Sequence, residues 1–352
     1  MTFLSAIGLP LIGLVLCGIV YQQIGMVIDR RRVRPTGRLV RIPGGSLHVN
    51  CTGHGGVTVV LESGISASSL SWAKVQQEVA KFAQVCSYDR AGFGWSDRRA
   101  GGRTPGRLAQ ELNVMLNAAE LKPPYLLVGH SFGGLIVRAY AAQFSREVCG
   151  MVLVDALHPA EWADPSREQQ RVLVGGVLLS WIGALLCSVG VVRLCVSLAA
   201  QGRTRSGQTV LRSFGAQVLA VVTRIVGEVT KLPAELLPAV RAHWTQPKSF
   251  LTQARYFASL PESSREVLNS QLPPQLPMAV LSAGNAIPAR AQEQRQLASL
   301  CEGAEHIVAA QCGHWIHLDR PELVVKAIHQ IAERSNLVTE KAPSCEEIEK
   351  PV

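Results

Sequence analysis

The chain has 352 residues, a formal net charge of +9 and nine cysteines. Its length leaves room for two domains, though one large α/β domain with an insertion also fills it. The charge does not mark a nucleic-acid binder, because the basic residues form no stripe interleaved with aromatics. The odd number of cysteines, several of them inside apolar segments, favours reduced core thiols over a disulfide framework.

Residues 3–28 carry no charge. At about 1.5 Å per residue this run exceeds the ~30 Å hydrocarbon core of a bilayer, and it stops at Asp29-Arg-Arg-Arg-Val-Arg34. Residues 1–34 are therefore expected to form a transmembrane anchor with a basic stop. A cleavable signal peptide would place positive charge before the apolar run and small residues at its end, whereas this run ends in Gln-Gln-Ile-Gly-Met-Val-Ile. The positive-inside rule then expects a single-pass protein with its N-terminus outside and the rest of the chain cytoplasmic, the arginines lying on an anionic membrane face.

Beyond residue 35, short apolar runs alternate with helical patterns. Strands are expected at 38–42, 46–51, 57–62, 84–88, 124–129, 150–155, 277–282 and 306–311. With helices between them, this is the pattern of an α/β chain with a mostly parallel eight-stranded sheet and flanking helices. Residues 160–275 break the alternation and read as a helical lid insertion, which divides the core into 35–159 and 276–336. The tail at 337–352 is expected to be disordered. Nothing repeats, and no glycine-rich phosphate loop, zinc-spaced Cys/His cluster or calcium loop is present, so neither cofactor nor metal is expected.

One segment carries chemistry more clearly than the rest. The apolar strand beginning at Tyr125 runs into Gly129-His-Ser-Phe-Gly133, a G-x-S-x-G nucleophile elbow in which Gly129 and Gly133 leave room for a tight strand-to-helix turn. Ser131 is the candidate nucleophile. A serine hydroxyl needs a base to take its proton, and the base needs a carboxylate to fix its tautomer. Near the C-terminus, His314 follows Gly313 at a strand end and is the expected base. His317, three residues on, is the competitor, or else packs beneath the loop.

The elbow, the segment Tyr88-Asp-Arg-Ala-Gly-Phe-Gly-Trp-Ser-Asp97 and the segment Gly313-His-Trp-Ile-His-Leu-Asp-Arg-Pro-Glu322 together resemble the α/β hydrolase superfamily over residues 37–334. The resemblance implies the order Ser, acid, His, with the acid just after the strand that follows the lid. There the chain carries Asn285, and an amide supplies no negative charge. Some members, including certain haloalkane dehalogenases, carry the acid instead at the end of the strand after the nucleophile helix, and that position is Asp155. A carboxylate ending an apolar strand requires a partner if buried, which favours His314; capping the next turn is the plainer alternative, and Glu161 a weaker substitute.

The resemblance also implies an oxyanion hole formed by the backbone N–H groups of Phe132 and Ile65, with Gly64 letting the loop turn inward. Glu62, Asp89 and Arg90 are expected to brace these loops, and Trp72, Phe93 and Trp95 to pack the core. Dehalogenases and epoxide hydrolases of this fold attack with an Asp in the elbow. Ser131 instead implies an acyl-enzyme and a small apolar acyl substrate, an ester above all, giving a carboxylesterase- or lipase-like enzyme.

Residues 172–192 are uncharged and long enough to be taken for a second span. A single crossing there would separate Ser131 and Asp155 from His314, and a return through residues 209–229 would bury Arg212 and Arg224. They are expected to be lid helices lining an acyl or aromatic pocket, with a contact to the membrane surface in addition. Two readings of function remain from the sequence: a membrane-anchored serine hydrolase (or an acyltransferase of the same design), and a ligand-binding receptor or scaffold that keeps the fold without turnover.

Overall fold

The structure is a computed structural model that describes residues 2–201 and 231–335. The expected return segment at 209–229, with Arg212 and Arg224, and the tail at 337–352 lie outside the described residues. The chain divides into two compact units, Met1–Pro35 with Gly175–Ala254, and Thr36–Val174 with Arg255–Val352.

The second unit is built on an eight-stranded sheet. Its strands are β1 (Arg38–Ile42), β2 (Gly45–Thr52), β3 (Thr58–Glu62), β4 (Gln84–Tyr88), β5 (Tyr125–His130), β6 (Val148–Val154), β7 (Met278–Ala283) and β8 (Glu305–Ala309), and their spatial order is β1-β2-β4-β3-β5-β6-β7-β8. β2 runs antiparallel to β1 and to β4, and the other pairings are parallel. All eight expected strands form, each end within two residues of its expected place.

The apolar runs are continuous because both faces of the sheet are covered. Along β5, Tyr125 and Leu127 join one core while Leu126 and Val128 join the other, as the period of two requires. The first core receives Leu108 and Leu112 of α3 (Pro105–Ala118) and Leu135 and Ile136 of α4 (Gly133–Gln143). The second receives Val75 and Val79 of α2 (Ala73–Val79) and Val324 and Ile328 of the C-terminal helix (Pro321–Arg334). Each such side chain, once buried, contributes about 1.5–3 kcal/mol. β3, β5 and β7 are buried along their whole length and β6 at all but one residue, which fixes their C-terminal ends.

The cysteine expectation needs correction. The β2–β4 register sets Cys51 opposite Cys86, and the two form a disulfide. Among the described residues, Cys17, Cys149, Cys187, Cys195 and Cys301 are free thiols. Sequence spacing does not reveal this pair, because strand register, not separation along the chain, brings the two β-carbons together.

The first unit contains α1 (Thr2–Arg32), the greater part of α6 (Arg167–Ser188), α7 (Val191–Gln201) and α8 (Leu237–Trp244); α5 is the short turn Ala160–Ala163 of the other unit. Pro10–Arg32 of α1 and the whole of α6 are long and apolar enough to cross a membrane. The uncharged run of 172–192 is not one helix: it breaks at Gly190, whose φ of +77° is a left-handed conformation that suits glycine. Of the large side chains of α6, Leu173 is buried in the core, but most of those beyond it are turned outward. Leu178, Leu179, Trp181, Ile182 and Leu185 are exposed, whereas Ser180, Ala184 and Cys187 are buried.

Candidate active site

Ser131 stands between β5 and α4 with φ of +54°, a left-handed conformation that is costly for a residue with a β-carbon. The turn closes only because its neighbours lack one. A β-carbon at Gly129 would lie 2.7 Å from Val137, and one at Gly133 would lie 2.6 Å from the Glu62 carbonyl oxygen. The elbow is held on all sides by backbone. The Ser131 N–H donates to the Val154 carbonyl at 3.2 Å, and the Ser131 carbonyl accepts from Gly134 at 3.0 Å and Leu157 at 3.0 Å.

Asp155 follows β6, the neighbour of β5, and also takes a left-handed φ, of +40°. Its N–H donates to the Leu281 carbonyl at 2.7 Å, which aims the side chain toward the loop after β8. There His314 Nδ1 lies 2.6 Å from Asp155 Oδ2, while Oδ1 accepts from the Ala283 N–H at 3.2 Å. Burial alone would raise this carboxyl, but the hydrogen bond and charge of His314, with Arg290, more than offset it and hold Asp155 below the usual carboxylate range. Asp155 is therefore an ionised acceptor, and the short contact places a proton on His314 Nδ1.

Two residues that the sequence reading passed over complete this pair. His130, the variable position of the elbow, is buried, and burial together with His317 and His314 holds its pKa well below the ordinary value. Being neutral, it donates from Nε2 to the His314 carbonyl at 2.9 Å, which ties the base loop to the elbow across 184 positions of sequence. Arg290, on the helix Pro288–Ala298 after β7, donates to the carbonyls of Asp155 at 3.1 Å and Ala156 at 3.2 Å and approaches Asp155 Oδ2 at 3.7 Å. Its other nitrogen holds Glu161 at 2.6 Å, so Glu161 faces Arg290 and His314 faces Asp155. His130 could have been noticed as a polar residue inside the motif. Arg290 left no signal, since one arginine on a polar helix has no pattern.

The loop after β3 carries Gly64 and Ile65. A β-carbon on Gly64 would come within 3.2 Å of the Ser131 β-carbon and 3.1 Å of His130 Nδ1, so glycine is what allows this loop to lie against the elbow. Ile65 is half-buried, and Phe132 caps the N-terminal end of α4, where the first N–H groups have no partner within the helix. Behind the loop lies a buried charge cluster. Arg90 Nη1 is 3.3 Å from Glu62 Oε1, Tyr88 donates to Glu62 Oε2, and Arg90 also donates to the Gly64 carbonyl. Tyr256 lies under the guanidinium, 4.9 Å from ring centre to Cζ. The cluster spans β3, β4 and the loop that follows each, and it fixes the height of the Gly64–Ile65 backbone.

Burial pushes the Glu62 carboxyl from its ordinary 4.5 up to about 7, against the lowering effect of Arg90 and of hydrogen bonds from Tyr88 and Ser63. Between those values the folded chain keeps a proton that the unfolded chain has released. Stability is therefore greatest below the window and falls as pH rises through it. Thermal unfolding followed from about pH 4.5 to about pH 8 should show a falling midpoint in the natural chain and a flatter curve in Glu62→Gln.

The remaining expected residues fall into place. Asp89 accepts from the Ser69 N–H at 2.8 Å and the Trp95 N–H at 3.0 Å and pairs with His48 at 3.0 Å, so it braces its loop. Trp72 and Phe93 are buried, and Trp95 packs on His48. His317 is fully buried between the Trp72 and His130 rings, and burial with the nearby His314 pulls its pKa down to about 3. It packs under the loop and meets no carboxylate among the described contacts. Asn285 is exposed on the turn after β7, its N–H donating to the Cys312 carbonyl at 3.2 Å.

A family model described as the alpha/beta hydrolase fold matches residues 57–178, a stretch that includes Gly64, the elbow and Asp155. An uncharacterized Bacillus subtilis protein, YqjL, is 39% identical over 103 residues, 29% of this chain. The match covers 41% of that protein, so the chain spans about two-fifths of the length of this curated relative. Among solved structures, the epoxide hydrolase CorEH superposes with a TM-score of 0.63 over 84% of this chain and 98% of its own, at 15% identity. An esterase from Thermogutta terrifontis superposes with a TM-score of 0.59 over 85% and 99%, at 18% identity. Identities this low speak for the fold, and the chemistry has to be argued from the site.

Proposed function

We propose that this chain, which belongs to the α/β hydrolase superfamily, is a membrane-anchored serine hydrolase that cleaves apolar carboxylic esters, lipid-like acyl compounds among them. The observation that carries the reading is the 2.6 Å contact between His314 Nδ1 and the ionised Asp155, next to a serine elbow. In the reaction, Ser131 Oγ attacks the acyl carbonyl carbon and gives its proton to His314 Nε2, while Asp155 stabilises the imidazolium. The oxyanion is held by the N–H groups of Ile65 and Phe132. The tetrahedral adduct collapses, the alkoxide leaves with the proton from His314, and water hydrolyses the acyl-enzyme by the same steps with His314 again as base.

The solved relatives include both esterases and epoxide hydrolases. Serine at position 131 favours acyl transfer, because its attack yields an ester that water can release. The reading as a receptor without turnover drew its force from Asn285, and the pairing of Asp155 with His314 supports a supply of charge from the neighbouring strand instead. Membrane attachment is assigned to α1, followed by Arg30, Arg31, Arg32 and Arg34. A fluorophosphonate probe tests the chemistry directly: the natural chain should be labelled and Ser131→Ala should not. Equal labelling of both, or of neither, would reject Ser131 as the nucleophile.

A further inference from the structure

α1 and α6 share an inverted arrangement. In a water-soluble helix large apolar side chains face inward and small or polar ones outward. On α6 the large residues Leu178, Leu179, Ile182, Leu185 and Leu186 fall on one exposed face, at spacings of one, three, three and one, with Trp181 beside them. The opposite face, with Ser180, Ala184 and Cys187, is the buried one. α1 repeats this. Leu14, Leu16, Ile19, Val20 and Ile24 are exposed, and the inward seam consists of Gly18, Gln22, Gly25 and Asp29 at helical spacings of four, three and four.

That seam is a built contact within the same unit. The Gly18 backbone lies against the corner between α6 and α7, where a β-carbon on Gly190 would stand 2.6 Å from the Gly18 carbonyl oxygen. Gly25 faces Arg193 of α7, which donates to the Gln22 side chain at 2.9 Å and pairs with Asp29 at 2.7 Å. Gln22 in turn donates to the Thr245 carbonyl at 2.6 Å, just beyond α8. Small residues and paired polar groups inside, with large apolar groups outside, is how helices associate where the surroundings are hydrocarbon.

We infer that the exposed faces of α1 and α6 form a lipid-contacting surface, so that α6 is embedded with the anchor in the hydrocarbon of an anionic bilayer. The inference rests on the membrane-anchored part of the proposed function. Charge selects a bilayer over a protein partner: the seam leads to a cavity of about 440 Å³ whose lining includes Arg32, Arg193 and Arg241, and Arg30 and Arg31 adjoin it in sequence, where anionic headgroups would lie. Connectivity sets the depth. Asp155 and His314 meet in one unit, so the chain between them leaves and returns on one side, and α6 does not cross the bilayer alone.

The test uses the full chain in vesicles of phosphatidylcholine and phosphatidylglycerol whose acyl chains carry bromine. The emission of Trp181 is taken as the difference between the natural chain and Trp181→Phe. It should lose most of its intensity to the bromine and be shielded from aqueous acrylamide. Quenching by acrylamide without quenching by bromine would overturn the inference. In Leu179→Arg/Leu186→Arg, Trp181 should move into reach of acrylamide while α1 keeps the chain on the vesicle; unchanged quenching by bromine would count equally against it. Fluorophosphonate labelling of the same vesicles reports separately on Ser131, and release of all variants from the vesicles would reject the anchor itself.

Discussion

Asp155→Asn is expected to lower kcat for ester hydrolysis by about 10⁴-fold with the fold intact. The amide is nearly the same size, so the packing around the end of β6 stays as it is. What changes is the hydrogen bond to His314 Nδ1, now 2.6 Å from an ionised oxygen. An asparagine can present its NH₂ group there, which fixes the proton on Nε2 and leaves His314 unable to accept from Ser131. It also removes the negative charge that stabilises the imidazolium. Arg290→Gln should act in the same direction to a smaller extent, because it loosens the carbonyls of Asp155 and Ala156 but leaves the carboxylate in place. The measurement is steady-state turnover of a p-nitrophenyl ester by each variant, with circular dichroism as the control for folding. Full activity in Asp155→Asn would reject Asp155 as the supporting acid.

Glu62→Ala is expected to lower stability by about 3–5 kcal/mol at about pH 8 and the thermal midpoint by roughly 10 °C. Arg90 is buried, and its guanidinium cannot shed its charge to escape the loss of a partner. The Gly64 carbonyl and the Tyr256 ring would remain, but neither carries a counter-charge. Arg90 also holds the Gly64 backbone, so turnover should fall together with stability. Calorimetry of the variant, compared with Glu62→Gln, measures the first effect, and kcat at a temperature where both are folded measures the second. A midpoint unchanged in Glu62→Ala would show that the cluster does not bear on the fold.

The central strands β3, β5, β6 and β7 were legible because each is a short, mostly apolar run closed by turn residues and buried on both faces. Asp155 was singled out by the resemblance to members whose acid ends the strand after the nucleophile helix, and a carboxylate ending an apolar strand calls for a partner. Its dependence on Arg290 was not legible, since that contact joins the end of β6 to a polar helix 135 positions later. The orientation of α6 was equally hidden. A segment that is apolar all round has no periodic signal to say which side faces inward, and Leu173, Ser180, Ala184 and Cys187 mark the buried side once the helix is seen. The Cys51–Cys86 bond escaped because register is a property of two strands, not of one sequence window.

The seat of the acid has a consequence for how the site can vary. Ser131 and Asp155 follow adjacent strands that exchange backbone hydrogen bonds, so the distance between these two residues is set by a single inter-strand spacing. The turn after β7 is relieved of that duty, and Asn285 sits on it exposed to solvent. That turn holds the loop of His314 instead: the Gly284 N–H donates to the Ala309 carbonyl at 2.8 Å and the Asn285 N–H to the Cys312 carbonyl at 3.2 Å, so recasting residues 284–287 would shift His314. With the carboxylate on β6, the side chain at position 285 is released from supplying charge while its backbone still seats the loop after β8.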